Sequence, residues 1–154
     1  MKKIITLLKK KKIKIAIAES CTGGILSTAF TSFAGASKVF SMGLVTYSNK
    51  AKNTVLKVPN KTRKKYGAVS MQCCLSMVNN LSKLSKCKIC ISVTGIAGPK
   101  GGSRKKPVGL VFIGIKNRKK IKINKFYFKN KEQTHIQRST LKKAMFLLLN
   151  EIKN

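Results

Sequence analysis

The chain has 154 residues, 43% of them hydrophobic, which is enough for one domain that buries its own core. It carries 34 lysines and arginines against three acidic residues and one histidine, a formal net charge of +31. Paired-carboxylate glycosidases, carboxylate-rich Mg²⁺ or Ca²⁺ sites and Ser-His-Asp triads all need acids that this composition lacks. No apolar run reaches the roughly 18 residues of a membrane span, so we expect no membrane segment.

The positive charge has two interpretations. Such a balance is typical of nucleic-acid-binding proteins. However, the lysines are spread through every segment, and the chain is also rich in isoleucine and asparagine, whose codons, like those of lysine, are rich in A and T. We favour biased codon usage, and we still expect some nonspecific binding of polyanions. The four arginines are Arg63, Arg104, Arg118 and Arg138.

The five cysteines are odd in number and show no spacing typical of a disulfide framework, which favours a reducing cytoplasm. Cys87 and Cys90 match C-x-x-C, a spacing found in redox and zinc sites. Neither a second pair nor a nearby histidine completes a zinc site. We interpret this match as coincidental.

The first half of the chain alternates helical and β-type patterns. Residues 1–12 predict an amphipathic helix, and the apolar run that includes residues 15–17 predicts a buried strand. Residues 25–33 have helical spacing, and residues 42–48 are typical of a strand. Residues 49–56 predict a short helix.

The second half continues the alternation and then changes. Asn60 begins a short helical piece that ends at Gly67, and Ser70 is a good N-cap for a helix over residues 71–85. The remaining predicted elements are strands over residues 87–93, 110–115 and 121–128, a turn at 117–120 and a long helix over 133–152. This order predicts a three-layer α/β/α domain with a mixed, mostly parallel five-stranded sheet, in one domain over residues 1–154.

Two glycine-containing segments follow predicted strands. Residues 18–24 hold a carboxylate, small hydroxyl and thiol side chains and two glycines where a strand meets a helix. Such a turn either simply begins the helix or directs backbone N–H groups at an anion or oxyanion. Residues 94–103 form a longer glycine-rich loop, which allows a ligand to approach the backbone closely.

Several segments together resemble one family, the CinA C-terminal domain, or nicotinamide-nucleotide amidohydrolases. The matching segments are residues 18–24, 45–49 with 51–52, 67–70 and 92–109. The resemblance implies hydrolysis of the carboxamide of nicotinamide mononucleotide to nicotinate mononucleotide and ammonia, in pyridine nucleotide recycling. It also implies a mixed five-stranded α/β/α fold with no metal and no cofactor. Larger members carry an additional N-terminal domain, so a stand-alone form is expected here.

By position, the resemblance implies that Ser20 is the nucleophile and that Tyr47 and Lys52 activate it. It places a substrate contact at Thr94, and the adjoining turns add candidate substrate-binding positions at Thr22, Gly23, Gly24, Gly95 and Gly98. The residues agree with a covalent route, because a poorly electrophilic amide carbonyl needs an activated hydroxyl. With no aspartate and with His135 predicted on the last helix, lysine is the available base. It can act only if its pKa falls from about 10.4 toward neutrality.

One segment departs from the family pattern. Members usually carry a Gly-Asp-Arg-like sequence before the last helix, where this chain has Asn-Lys-Glu-Gln at residues 130–133. Substrate anchoring there passes to Lys131, Gln133 or Arg138, or is weaker. Two alternatives therefore stay open: a basic nucleic-acid-binding module with a decayed site, and an amidohydrolase acting on another small amide. We also expect a homo-oligomer in the cytoplasm.

Overall fold

The structure is a computed structural model, and it describes residues 1–153. Five strands form one sheet: β1 (Ile15–Glu19), β2 (Phe40–Val45), β3 (Ile89–Gly95), β4 (Leu110–Asn117) and β5 (Lys120–Tyr127). The α-helices are α1 (Lys2–Lys10), α2 (Ile25–Thr31), α3 (Asn49–Thr54), α4 (Asn60–Tyr66), α5 (Met71–Ser85) and α6 (Gln133–Lys153). A short 3₁₀ turn, Ala36–Lys38, precedes β2.

The strands lie in the order β2-β1-β3-β4-β5. β1 pairs in parallel with both β2 and β3, whereas β4 runs antiparallel between β3 and β5. Four of the five strands therefore point in the same direction. This confirms the predicted mixed, mostly parallel sheet.

Helices cover both faces of this sheet. Ile15 and Ile17 of β1 face a core that also contains Leu8 of α1, Phe30 of α2 and Leu148 of α6. Because side chains alternate along a strand, Ala16 and Ala18 face the opposite core, where Met77, Val78 and Leu81 of α5 pack. Every residue of β1 is buried, as expected for a central parallel strand. The three-layer α/β/α prediction is confirmed.

Most strand boundaries differ from the prediction by one to three residues, and the ends of β2 and β3 are two examples. β2 ends at Val45, earlier than the predicted residue 48, because Ser48 already caps α3 by accepting a hydrogen bond from the Ala51 amide. β3 extends to Gly95, two residues beyond the predicted end, because its pairing with β4 continues to Val111. Both ends lie at the carboxyl edge of the parallel strands, where open α/β sheets bind their ligands.

Helices that pack on the sheet have their N-termini at one edge of it and their C-termini at the other. α2 and α6 follow strands that run in the same direction, so they begin at the carboxyl edge of the sheet. α1 and α5 precede β1 and β3, so they end at the amino edge. α6 also ends there, because its Ile152 carbonyl accepts a hydrogen bond from the Lys11 ammonium. The N-termini of α2, α5 and α6 therefore lie at the carboxyl edge, and the C-termini of α1, α5 and α6 lie at the amino edge.

Candidate active site

Ser20 directly follows β1, in the turn that leads into α2. The preceding Glu19 is fully buried, and its carboxylate accepts hydrogen bonds from the amides of Gly24 (3.1 Å), Leu26 (3.1 Å) and Ser27 (2.8 Å). It also accepts one from the Ser27 hydroxyl at 2.7 Å. Because α2 has no side-chain cap at its own N-cap residue, Glu19 satisfies the first amides of the helix and fixes the turn that carries Ser20.

Lys52 extends from α3 into the protein and is only 2% exposed. Its Nζ lies 2.8 Å from Ser20 Oγ. Two carbonyl oxygens also accept hydrogen bonds from Nζ, those of Thr46 at 3.0 Å and Tyr47 at 3.3 Å. The Thr46 amide in turn donates to the Glu19 carbonyl at 2.8 Å, which joins the end of β2 to the end of β1. The sheet pairing thus brings α3 and its lysine next to Ser20.

Burial lowers the pKa of Lys52 from its ordinary value of 10.5, because the charged ammonium loses water. The thiols of Cys73 and Cys21 oppose this lowering of the pKa, and the charge of Arg63 adds to it. The positive neighbour that contributes to the lowering of this pKa is therefore an arginine. Lowering the pKa favours the neutral amine, which is the form that can accept a proton.

Cys21 lies beside Ser20 and is buried. Burial raises the pKa of the Cys21 thiol from 9.0 to about 12, against smaller lowering effects from its own backbone and from Lys52. A thiol with that pKa stays protonated near neutral pH and is a weak nucleophile. The neighbouring hydroxyl of Ser20, by contrast, is in contact with an amine.

Tyr47 meets Lys52 through its backbone carbonyl. Its side chain is 64% exposed and lines the cavity that opens in front of Ser20. Since Nζ and Oγ touch directly, a proton passing between them does not need the phenol. Of the two residues implied to activate Ser20, Lys52 is thus the one whose side chain contacts it.

The cavity in front of Ser20 has a volume of about 240 Å³. Thr94, Gly95 and Gly98, which were predicted as substrate contacts, line it. Thr94 is only 1% exposed, and its hydroxyl donates to the Ala68 carbonyl at 2.9 Å. That hydroxyl therefore ties the segment before α5 to β3, which positions the cavity wall.

Three predicted substrate contacts do not line this cavity. Thr22 is 2% exposed, and its Oγ1 is buried with no hydrogen-bond partner among residues 1–153. The amide of Gly24 is bonded to Glu19, and that of Gly23 donates to the Ser20 carbonyl at 3.1 Å. Positive φ angles of 62° and 104° at Gly23 and Gly24 let the chain turn into α2. These glycines therefore shape the turn.

The backbone of the same turn leaves two amides available. Within residues 21–24, those of Cys21 and Thr22 make no hydrogen bond in the described part of the chain. Of the two, only Cys21 lines the cavity in front of Ser20. An oxyanion in that cavity would therefore meet the amide of Cys21, the residue directly after Ser20.

Gln137 of α6 is a supporting residue that the sequence did not indicate. Its Nε2 donates to the Cys21 carbonyl at 3.0 Å, across 116 residues of chain. No local pattern could have identified it. Among the residues proposed to replace the family's arginine, Lys131 lines an adjoining cavity of about 540 Å³, whereas Gln133 and Arg138 line neither cavity. The two cavities share Lys100 and Gly101.

Two further features bear on the class of protein. Among residues 1–153, no three histidine, cysteine or acidic side chains gather as they would around a metal ion. None of the helices that the structure describes has the length and apolar character needed to span a membrane. Fold and site together define a three-layer α/β domain with a buried serine–lysine pair at the carboxyl edge of its parallel strands.

Comparison with known proteins identifies the family. The model of the CinA C-terminal domain matches residues 1–152, so the chain belongs to the CinA C-terminal domain family. A CinA-like protein of Pseudothermotoga lettingae is 41% identical over 152 residues, which cover 98% of this chain and 37% of that protein. A CinA-like protein of Thermotoga maritima is 51% identical over 112 residues, 73% of this chain and 28% of that protein. The chain thus spans about a third of the length of these relatives.

Solved structures give the same result. The competence/damage inducible protein CihA of Agrobacterium tumefaciens superimposes with a TM-score of 0.94 at 38% identity, covering 97% of this chain and 92% of that one. A CinA superfamily protein of Enterobacter cloacae gives a TM-score of 0.92 at 26% identity, covering 98% and 89%. The resemblance found in the sequence motifs is therefore confirmed at the level of family and fold.

Proposed function

We propose that this domain is an amidohydrolase that converts nicotinamide mononucleotide to nicotinate mononucleotide and ammonia, with Ser20 as the nucleophile. The observation that carries the proposal is the contact of 2.8 Å between Lys52 Nζ and Ser20 Oγ, with both side chains buried beside the cavity. A hydroxyl in contact with a basic group is the arrangement from which covalent amide hydrolysis starts.

Lys52 is the general base in this proposal. A neutral lysine has two N–H groups and one lone pair. When the carbonyls of Thr46 and Tyr47 accept the two N–H groups, the lone pair is left facing Ser20. The lowered pKa makes this neutral form accessible at a pH below 10.5.

The reaction proceeds in two halves. Lys52 takes the proton of Ser20 while Oγ attacks the carboxamide carbon, and the protonated Lys52 then gives that proton to the departing nitrogen, which leaves as ammonia. Water next attacks the acyl-enzyme and gives a proton to Lys52. The bond between the acyl group and Oγ breaks, the acid is released, and Ser20 recovers its proton from Lys52.

The amide of Cys21 stabilises the negative oxygen of each tetrahedral intermediate. It follows the nucleophile directly, belongs to the cavity lining and makes no hydrogen bond to another residue in the described chain. Preorganised N–H donors of this kind are each worth about 3 kcal/mol of transition-state stabilisation. Glu19 and Gln137 hold this turn from its two sides, so they position this amide without touching the substrate.

The adjoining cavity supplies a place for the nucleotide phosphate. It shares Lys100 and Gly101 with the cavity in front of Ser20, and Lys131 lines its other part. A phosphate needs cationic or N–H donors, and both lysines are exposed enough to reach one. Lys131 thus takes the anchoring role of the arginine that the family usually has before the last helix.

The deciding experiment is ammonia release from nicotinamide mononucleotide by the purified protein and by its Ser20→Ala variant. We expect turnover by the wild type and none by the variant. Absence of turnover in a folded wild type, or equal turnover in both proteins, contradicts the mechanism. An inactive protein with steeply salt-dependent DNA binding would support the alternative of a nucleic-acid-binding module.

Substrate choice needs its own comparison. Nicotinamide riboside has the same carboxamide but no phosphate, so its kcat/KM is expected to be lower than that of the mononucleotide. Lys131→Ala should reduce kcat/KM strongly for the mononucleotide and only slightly for the riboside. Lys125→Ala, an exposed lysine outside both cavities, is the matched control. A preference for the riboside or for an unrelated small amide would move the proposal to another substrate.

A further inference from the structure

We propose that a second cavity, at the amino edge of the sheet, binds a small molecule carrying two or more phosphate groups. The cavity has a volume of about 580 Å³. Four separate segments line it: the residues after α1, the start of β3, the turn between β4 and β5, and the end of α6. The active-site proposal assigns it no role, because Ser20 lies at the opposite edge.

Five basic side chains line this cavity. Lys11 follows α1, Lys88 precedes β3, and the other three come from the β4–β5 turn: Arg118, Lys119 and Lys120. The Arg118 amide donates to the Lys88 carbonyl at 2.9 Å, which fastens the turn to the start of β3. The cations are therefore held together by the backbone of the folded chain.

The concentration of charge exceeds what the composition alone predicts. Five of the nine residues that line this cavity are basic, compared with 34 of 154 in the whole chain. The cavity in front of Ser20 has two basic residues among fourteen. A lysine-rich composition would raise both counts alike, so it does not explain their difference.

Helix ends do not cancel this charge. α1, α5 and α6 end at the amino edge, and each helix C-terminus carries roughly half a negative charge, about 1.5 in all. The Lys11 ammonium donates a hydrogen bond to the Ile152 carbonyl and so offsets part of the negative charge at the end of α6. The carboxylate of Glu151, which also lines the cavity, is paired with Lys122 at 2.6 Å. A net charge of about +3.5 remains, which matches a di- or triphosphate.

The shape favours a small molecule over a nucleic acid. A volume of about 580 Å³ lies within the roughly 300–1,000 Å³ typical of small-molecule sites. Nonspecific nucleic-acid binding uses an extended groove that follows the phosphate backbone. Here the cations surround one concave site, and Ile13 and Ile152 complete its lining with apolar side chains.

The test measures binding of inorganic tripolyphosphate by equilibrium dialysis at physiological salt. The cavity variant is Lys11→Gln, Lys88→Gln and Lys119→Gln together. Its control is Lys38→Gln, Lys125→Gln and Lys142→Gln, which removes the same charge at exposed positions outside all the cavities described above. We expect saturable binding to the wild type and to the control, and affinity at least about tenfold weaker in the cavity variant.

Three outcomes overturn the proposal. The first is no saturable binding to the wild type. The second is equal weakening in both triple variants, which indicates general charge attraction. The third is a wild type that binds a DNA duplex but no tripolyphosphate, together with a cavity variant that has lost the DNA binding. Thermal unfolding of all three proteins confirms that they are folded. Because the readout is binding, it does not depend on the proposed amidohydrolase activity.

Discussion

The two edges of the sheet use lysine in opposite ways. At the carboxyl edge, Lys52 is buried, touches Ser20 and has a lowered pKa, so it can lose its proton. At the amino edge, Lys11, Lys119 and Lys120 are exposed side chains around a wider cavity. The difference shows that the surroundings of a lysine set both its pKa and its exposure. A count of lysines in the sequence contains neither property.

Replacing Ser20 should produce the largest difference in effect between the two edges of the sheet. Ser20→Ala removes the nucleophile, and ammonia release is expected to fall by about 10⁴-fold or more. Tripolyphosphate binding at the amino edge should stay unchanged, because Ser20 lies at the opposite edge. Parallel measurements of turnover and dialysis on one preparation check both. Loss of both properties together would contradict the separation of the two sites.

The second prediction concerns the base. Lys52→Arg keeps the positive charge but replaces the amine with a guanidinium that stays protonated, so turnover should fall by roughly 10²- to 10⁴-fold. Lys50→Arg, on the same helix but exposed, is the matched control and should be fully active. Initial rates at saturating substrate provide the comparison. A Lys52→Arg enzyme with near-normal turnover would exclude Lys52 as the base.

Glu19 should affect stability more than chemistry. Glu19→Gln replaces one acceptor oxygen by an amide that faces N–H and O–H donors, so we expect the free energy of unfolding to fall by about 2–3 kcal/mol. Turnover of the folded variant should fall less than in Ser20→Ala. Urea unfolding and turnover measure the two effects, with the exposed Glu132→Gln as control. If Glu19→Gln lost as much turnover as Ser20→Ala, Glu19 would have a chemical role.

The lowered pKa of Lys52 also predicts a pH dependence of stability. Between the lowered pKa and 10.5, the unfolded chain binds more protons than the folded protein, so the stability conferred by Lys52 is smallest at low pH and rises as pH increases. The stability of the wild type relative to Lys52→Met should therefore increase by up to about 1.4 kcal/mol per pH unit in this range. Urea unfolding at several pH values tests this. A difference independent of pH would show that the pKa is not lowered.

The smallest expected effect is at the amino edge. The triple variant Lys11→Gln, Lys88→Gln and Lys119→Gln should keep ammonia release within about twofold of the wild type, because none of the three lines the cavity at Ser20. Steady-state rates without added phosphate compounds are the measurement. A larger loss of turnover would mean that the two edges are coupled through the sheet.

Local sequence signals predicted most of the elements. Ser70 was predicted as an N-cap, and its hydroxyl does accept a hydrogen bond from the Cys73 amide at 3.1 Å. The helix after it ends at Ser85 as predicted, because its apolar spacing continues to that point. The end of β2 was less predictable, since residues 46–48 look like a strand but make the contacts that place α3. Residues at the end of a strand adopt the conformation that their tertiary contacts favour, even where the sequence pattern predicts a longer strand.

The candidate site was predictable only in part. Motif resemblance indicated Ser20, Tyr47 and Lys52, and the structure brings Ser20 and Lys52 into contact while exposing the phenol of Tyr47. Thr22, Gly23 and Gly24 lie outside the lining of the cavity at Ser20. The sequence did not show this, because the course of the turn depends on the hydrogen bonds between Glu19 and the start of α2. Gln137 gave no signal, since a single glutamine on a helix is not distinctive.

The sequence by itself determined the elements, their order and the family, because capping, periodicity and turn chemistry act over a few residues. The tertiary structure decided which residues meet. Placing β1 between β2 and β3 brings Lys52 to Ser20 across 32 positions, and the same sheet gathers Lys11, Lys88 and Arg118 at its other edge. Burial of Lys52 and exposure of Lys11 follow from those positions, and burial is what changes the chemistry of a lysine.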